Sequence, residues 1–586
     1  MVVKVPKLAH EEAKGPIIYK PHFTHPNPFP SDSPVFDILF TNNKNKVDPN
    51  TRTFIDVENP NNFVTYGQLE QDILAVATGL KQVYDLQPRD VIAICCPNDI
   101  NYPSVLHGIV FAGGIAAAIP HSISSYKPEE VAQDIENIKP KMVIMSRPFL
   151  EQTLPLLKKL NIPESNILIM GIEKEGEKVK NSITEHIRTV EQVFLSLSSK
   201  YTKQELLQSR YNYTEQELKE SAAYFFFTSG STGKRKAVML TQHGMVAILA
   251  NRPMDPSSEP CRILGCNKFF HISSLILALH LCVYNGDECY VCTKFELRDL
   301  CVAIEKYKIN SMMALFYNIS EMCNKSVADE YDISSLTVVY NMGTRLHFSA
   351  VQALKNRHGL SVIDIYGLTE TLLFFKNSIE DTKVGSTGRL CPGFEVRLID
   401  DDGNDVPRGD VGHLIIRGPT ICKGYYNDPE ITAATFDKDG YIFTGDLLKC
   451  DNEGRWYYVE RYKDMIRYYE SSIYPSTIES VMMKHPKVLE CAVVGIKVPA
   501  KNIEVPRGYI RFVEDVYGLT EEQEEELKQD IIKFTADRVA NEMQLRGGLF
   551  VVDSFPRTYS GKIRRYTLKV EANRKIMEEY DAQFLS

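Results

Sequence analysis

From about residue 60 the sequence alternates stretches of helical spacing with short apolar runs, and no other feature limits the fold as much. Gln68–Val83 places its apolar residues at helical spacing. Asp90–Cys96 (DVIAICC) and Lys141–Met145 (KMVIM) are short runs, apolar at every position after the first. A strand that is apolar on both faces must be covered on both, so the pattern predicts a mostly parallel sheet between helices. After about residue 380 the texture changes. Gly393–Gly418 reads as short strands broken by Gly, Asp and Pro turns, as expected of antiparallel hairpins. A last unit starts near residue 460, with an apolar strand at Cys491–Ile496, a charged helix at Thr520–Lys533 and a basic tail. Glu521–Glu526, acidic at all but Gln523, reads as a solvated helix face. There is no fixed-period repeat and no long low-complexity tract.

At about 100–200 residues per domain, a chain of 586 residues has room for several domains, or one large domain with subdomains. Its 67 Lys and Arg against 76 Asp and Glu leave a net charge of −9. That balance excludes a protein that coats nucleic acid, but not a local basic pocket for a phosphate ligand. Thirteen cysteines, Cys95 and Cys96 adjacent, read as free thiols in a reducing compartment. Cys289 and Cys292 have no second pair at metal spacing, so they read as strand residues within Asp287–Thr293 rather than as zinc ligands. Met1–Lys20 has no apolar core, and no signal peptide is expected there. Tyr102–Pro120 contains Pro103, His107 and three glycines, which fits a buried helix and strand better than a membrane span of about 20 apolar residues. Phe584-Leu585-Ser586 differs from the peroxisomal Ser-Lys-Leu address. A cytoplasmic protein is expected, with the peroxisome left open, and the oligomeric state is not indicated.

Phe225–Val238 (FFFTSGSTGKRKAV) carries the clearest chemistry. An aromatic strand runs into a loop of small hydroxyl and glycine residues and then into cations. Such a loop lets backbone N–H groups close on phosphate oxygens, and hydroxyls and lysine add donors and charge. It is not a Walker loop, because Arg235 rather than Ser or Thr follows Lys234.

This segment opens an ordered series that resembles the adenylate-forming superfamily of firefly luciferase, 4-coumarate–CoA ligase and acyl-CoA synthetases. The resemblance runs from about residue 60 to 570. Thr228, Ser229, Gly230, Ser231, Thr232, Gly233 and Lys236 match the family's phosphate loop. Phe269-Phe270-His271-Ile272 is similar to its Phe-His segment beside the acyl pocket, and Asn341–Leu346, with Gly343 and Thr344, occupies the place of the segment lining the adenine and acyl pockets. Tyr366-Gly367-Leu368-Thr369-Glu370-Thr371 matches its most telling signature. Tyr441–Asp446 matches the ribose-binding turn, Val459–Asp464 the interdomain hinge, and Pro556–Arg565 the segment bearing the adenylation lysine.

The resemblance implies an α/β fold. A large N-terminal domain of packed α/β subdomains plus a β-rich subdomain would span residues 1–459. A small mobile α+β C-terminal domain would span 460–586, hinged near Glu460. It implies that a fatty or aryl acid attacks ATP to give an acyl-adenylate, which is then passed to coenzyme A. Thr228–Gly233 and Lys236 would hold the β- and γ-phosphates, Glu370 a Mg²⁺ ion, and Tyr366 the adenine. Asp446 and Arg461 would hold the ribose, Thr369 and Lys562 would bridge carboxylate and α-phosphate, and His271 would act beside the acyl group.

Several positions depart from the family pattern. Arg235 and Ala237 replace the usual Pro and Gly, Asn341, Met342 and Arg345 alter the pocket segment, and Asp364-Ile365 replaces Gln-Gly. Glu460 replaces Asp, and Glu470 stands where Gly meets the pantetheine arm, so its charge is expected to weaken the coenzyme A half-reaction more than adenylation. Two other readings stay open: a non-catalytic relative that binds nucleotide or acyl ligand, and an oxygen-using light emitter.

Overall fold

The structure is a computed structural model that describes residues 17–21, 32–121, 127–171, 183–229, 235–252, 261–314, 316–323, 326–343, 346, 348–469, 471–498, 503–513, 516, 518–558 and 562–585. The early alternation becomes two mostly parallel sheets. One orders its strands 167–169, 142–145, 91–95, 115–118, 222–229, 235–241; all pairs are parallel except the last. The other runs 361–365, 338–342, 311–314, 262–265, 288–291, 52–56, 63–65, again with a single antiparallel pair at its end. The apolar runs fall where expected. Val91–Cys95 and Met142–Met145 are buried at every position.

Helix Tyr66–Tyr84 shows why the sequence folds this way locally. Thr65 caps it by accepting a hydrogen bond from the Gln68 N–H, and Asp85 ends it in a left-handed conformation. It buries Leu69, Ile73, Val76 and Leu80, each worth about 1.5–3 kcal/mol when fully withdrawn from water. Its neighbour, helix Tyr102–Phe111, packs so closely that a Cβ on Gly108 would stand 2.6 Å from Val76. Tyr102–Pro120 is thus the expected buried helix followed by strand Ile115–Ala118.

Beyond residue 370 the third sheet is antiparallel, ordered 375–376, 388–390, 455–461, 442–450, 412–417, 395–399. Ile442–Cys450 and Arg455–Arg461 are its two central strands. The small domain follows. Hairpin 466–468/471–473 precedes a three-stranded sheet ordered 488–498, 503–512, 549–551, covered by helices Pro475–Met482, Glu521–Ala536 and Arg565–Leu585. The acidic stretch 521–526 is the largely exposed first part of the second of these helices. All thirteen cysteines are free thiols. No described helix is long and apolar enough to cross a membrane, and no group of potential metal-binding His, Cys, Asp and Glu side chains occurs among the described residues.

Candidate active site

Two adjacent antiparallel strands place Asp446 directly opposite Arg461. Arg461 Nη1 lies 3.1 Å from Asp446 Oδ1, and the Tyr366 hydroxyl donates to Asp446 Oδ2 at 2.7 Å. Asp446 is 1% exposed. Burial raises its pKa, against the opposing pull of Arg461, Tyr366 and Lys562. Burial works against the Arg461 charge too, but Asp446, Tyr366, Tyr458 and Glu370 outweigh it and its pKa ends raised. Oδ1 makes no aligned hydrogen bond among the described residues, so this buried oxygen keeps acceptor capacity for a hydroxyl. Tyr366 itself packs edge-on to Phe374 at 5.6 Å and near Tyr458 at 6.0 Å.

The signature after Tyr366 folds as a tight hairpin, with Gly367-Leu368 paired to Leu372-Leu373. A Cβ on Gly367 would stand 2.5 Å from the Leu372 carbonyl oxygen, so glycine is required there. Thr369 and Glu370 form the tip. The Tyr425 hydroxyl donates to Glu370 Oε1 at 2.8 Å, and the Cys422 N–H donates to the Glu370 carbonyl at 2.8 Å. Lys236 Nζ lies 5.1 Å over the Tyr425 ring. Segment 420–425 therefore ties the lysine after the phosphate loop to the carboxylate at the hairpin tip. Tyr425 was missed by sequence reasoning; a lone aromatic carries no signal without its fold.

Strands 222–229 and 235–241 pair antiparallel, with Thr228 opposite Lys236. Alternation of side chains along the second strand sorts the family departures. Arg235 and Ala237 share one face. Arg235 Nη2 meets Asp134 at 2.7 Å, both side chains under a tenth exposed, and Ala237 packs in the cluster containing Val131, Ile135 and Phe225. Lys236 takes the opposite face. Both substitutions thus serve packing against helix Pro128–Ile138 rather than crowding Lys236.

The small domain brings Lys562 to this place. Its loop is held as a hairpin by Thr558 N–H to the Lys562 carbonyl at 2.8 Å and by the Arg557–Ile563 bridge. A Cβ on Gly343 would stand 3.0 Å from Lys562 Cε and 3.7 Å from Nζ, and Gly343 has φ +91°. Glycine there lets the lysine stem lie against the strand end. Lys562 keeps solvent contact yet is ringed by protein, and this enclosure and Arg461 push its pKa down to about 8, against Asp446 and Glu370. Two of the three arginines near it are structural. Arg565 meets both Glu479 oxygens at 2.7 Å, and Arg557 meets those of Glu490 at 2.7 and 2.6 Å. The basic stretch is therefore only partly solvated: Arg557 and Arg565 are tied inward, and Arg564 is exposed.

His271 caps helix Ile272–Ile276, its Nδ1 accepting from the Ser273 N–H at 3.2 Å. Burial, then Lys562 and Lys268, push its pKa down to about 3, so the ring is neutral with its proton on Nε2.

Other altered positions compensate one another. Asn341 Nδ2 donates to Asp364 Oδ1 at 2.5 Å. Glu460 accepts from the Arg461 N–H and, at its other oxygen, from the Ser476 N–H, both at 2.9 Å, which anchors the start of helix Pro475–Met482. Gly230, Ser231, Thr232, Gly233, Thr344, Arg345 and Glu470 lie outside the described residues, as does the side chain of Ser229. Thr369 makes no side-chain hydrogen bond among the described residues.

The family model for AMP-binding enzymes matches residues 42–426, and that for the AMP-binding enzyme C-terminal domain matches 477–562. The phenylacetyl-CoA ligase epaB of Aspergillus niger is 28% identical over 93% of this chain and 98% of its own. The luciferin 4-monooxygenase of Photinus pyralis is 27% identical over 88% and 90%. The solved anthranilate CoA ligase AuaEII, in complex with anthranoyl-AMP, shares the fold with TM-score 0.79 over 94% of this chain and 99% of that one, at 22% identity. With both the large and the small domain matched in order, the chain belongs to the AMP-binding enzyme family.

Proposed function

We propose that the chain activates a fatty or aryl carboxylic acid with ATP and passes the acyl group to coenzyme A. A carboxylate oxygen bonds to the α-phosphorus, and the bond to the β-phosphate oxygen breaks, releasing pyrophosphate. The coenzyme A thiol then loses its proton and attacks the acyl carbon, and AMP leaves. The observation that carries this reading is that Lys562, from the small domain, lies against Gly343 of the large one, within electrostatic reach of Asp446, Arg461 and Glu370. Asp446 Oδ1 accepts a ribose hydroxyl, Arg461 fixes that carboxylate, and Tyr366 offers a ring to adenine. Lys236 and the phosphate loop hold the β- and γ-phosphates. Lys562 and Thr369 bridge carboxylate and α-phosphate, where a cation offsets repulsion between two anions. His271 stands beside the acyl group as a neutral donor through Nε2.

Glu370 fits Mg²⁺. It is one carboxylate with Oε2 unused among the described residues, and Mg²⁺ commonly takes one or two carboxylates plus substrate phosphates. When bound, the ion would screen the phosphate charge. We place the hinge between domains 1–459 and 460–586 at Glu460, whose two hydrogen bonds, from the Arg461 and Ser476 N–H groups, fix the backbone that follows it. Pyrophosphate release from ATP, Mg²⁺ and a panel of aryl and fatty acids, with and without coenzyme A, tests the reading. No release with any acid, alongside measurable ATP binding, decides instead for a binder without turnover. Light output in the same assay tests the luciferase-like alternative.

A further inference from the structure

We infer that Lys268 binds an oxyanion of the reacting substrates, as a further cation of this site besides Lys236, Arg461 and Lys562. The inference rests on the proposed function. Lys268 sits in the turn between strand Arg262–Gly265 and the helix that His271 caps. That turn is rigid. Asn98 accepts from the Phe269 N–H at 2.8 Å and donates to the Asn267 carbonyl at 2.9 Å, and the His271 N–H closes on the Lys268 carbonyl at 2.9 Å. The amine lies 5.7 Å over the Phe270 ring, and Phe270 meets His121 with ring centroids 5.2 Å apart. The side chain is half-buried, yet among the described residues no carboxylate lies within ion-pair distance of it. Arg235, Arg557 and Arg565, also drawn into the protein, each have one.

The surroundings are basic throughout. Burial lowers the Lys268 pKa. His121 is pushed down to about 4 by burial, with Lys268 adding to the effect, and His271 feels both Lys268 and Lys562. A partly desolvated ammonium among neutral imidazoles and a second lysine lacks a counter-charge, and a bound oxyanion supplies it. Two sources share that chemistry: the polyphosphate end of ATP, or a second carboxylate on the acid.

Calorimetric binding of ATP, AMP and tripolyphosphate to the full chain, wild type, Lys268→Gln and Lys268→Arg, separates them. A polyphosphate role weakens ATP and tripolyphosphate about tenfold in Lys268→Gln, leaves AMP unchanged, and is restored by Lys268→Arg. A carboxylate role leaves all three unchanged and raises KM for dicarboxylic acids but not for their monocarboxylic counterparts in pyrophosphate release. Unchanged binding together with unchanged KM for both acid classes overturns the inference. A wild-type chain that binds neither ATP nor AMP fails the proposed function itself, and this inference with it.

Discussion

The two basic segments of the site, 235–236 in the large domain and 557–565 in the small one, use arginine and lysine in the same way but are held differently. In each, arginines are paired with buried carboxylates: Arg235 with Asp134, Arg557 with Glu490 and Arg565 with Glu479, while Arg564 is exposed. In each, a lysine is left without an ion pair among the described residues. This division suits the side chains, since the planar guanidinium satisfies a carboxylate at two points and lysine presents a compact charge to a ligand. The difference lies in the support. Lys236 stands on a strand paired along its length and beside the Tyr425 ring, within one domain. Lys562 stands on a short loop of a second domain, against Gly343. A cation on a fixed sheet can serve every step; one carried on a separate domain can serve a single step and then leave. We therefore expect Lys236 to act mainly in binding and Lys562 mainly in rate.

The largest expected effect tests the small-domain side. Lys562→Ala should lower pyrophosphate release roughly 100- to 1000-fold, the scale of losing one donor to developing charge, while ATP affinity changes little. Equal losses in ATP affinity and rate would erase the distinction. Next comes the scaffold of that lysine. Glu479→Gln leaves Arg565 without its bidentate partner. Breaking a buried pair costs about 3–5 kcal/mol, and because the Arg565 side chain keeps 27% of its exposure, we expect the low end. Denaturant unfolding of the small domain, followed by limited proteolysis, reads the loss. On the fixed side, Lys236→Ala should raise the KM for ATP about tenfold with kcat nearly unchanged, as when a charge-assisted contact common to ground and transition states is removed.

The sequence made much of this legible, and the exceptions share one cause. Strands 91–95 and 142–145 and helix 66–84 follow from local pattern, because burial on one or both faces writes itself into every residue of an element. The hairpin tip at Thr369-Glu370 and the strand pair carrying Asp446 and Arg461 were readable as motifs. Tyr425, Lys268 and the Asn341–Asp364 pair were not. Their roles depend on which distant segment lies opposite, as Asn341 on one strand end depends on Asp364 on the next. For the same reason the sequence marked Arg235 and Ala237 as departures from the phosphate-loop pattern without assigning either a face. Strand alternation turns both toward helix 128–138, and only the paired sheet reveals which face that is.

The smallest effect sharpens the comparison through pH. The Lys562 pKa is lowered from the ordinary 10.5 to about 8. In the proposed reaction Lys562 acts as an ammonium, so pyrophosphate release should fall as pH rises through about 8. At that pH the loss is only about half. Stability moves the other way. Between about 8 and 10.5 the unfolded chain holds a proton on this amine that the folded chain has given up, so this group makes stability rise with pH in that window. Loss of rate there cannot then be assigned to unfolding driven by Lys562. Lys562→Arg keeps its charge across the range, so its activity, though reduced by the altered shape, should be flat with pH where the wild type declines. The Lys236→Ala profile should keep the wild-type decline, because the titrating cation is still carried by the small domain. A decline that persists unchanged in Lys562→Arg would place the titrating group elsewhere and remove the rate-specific role of this lysine.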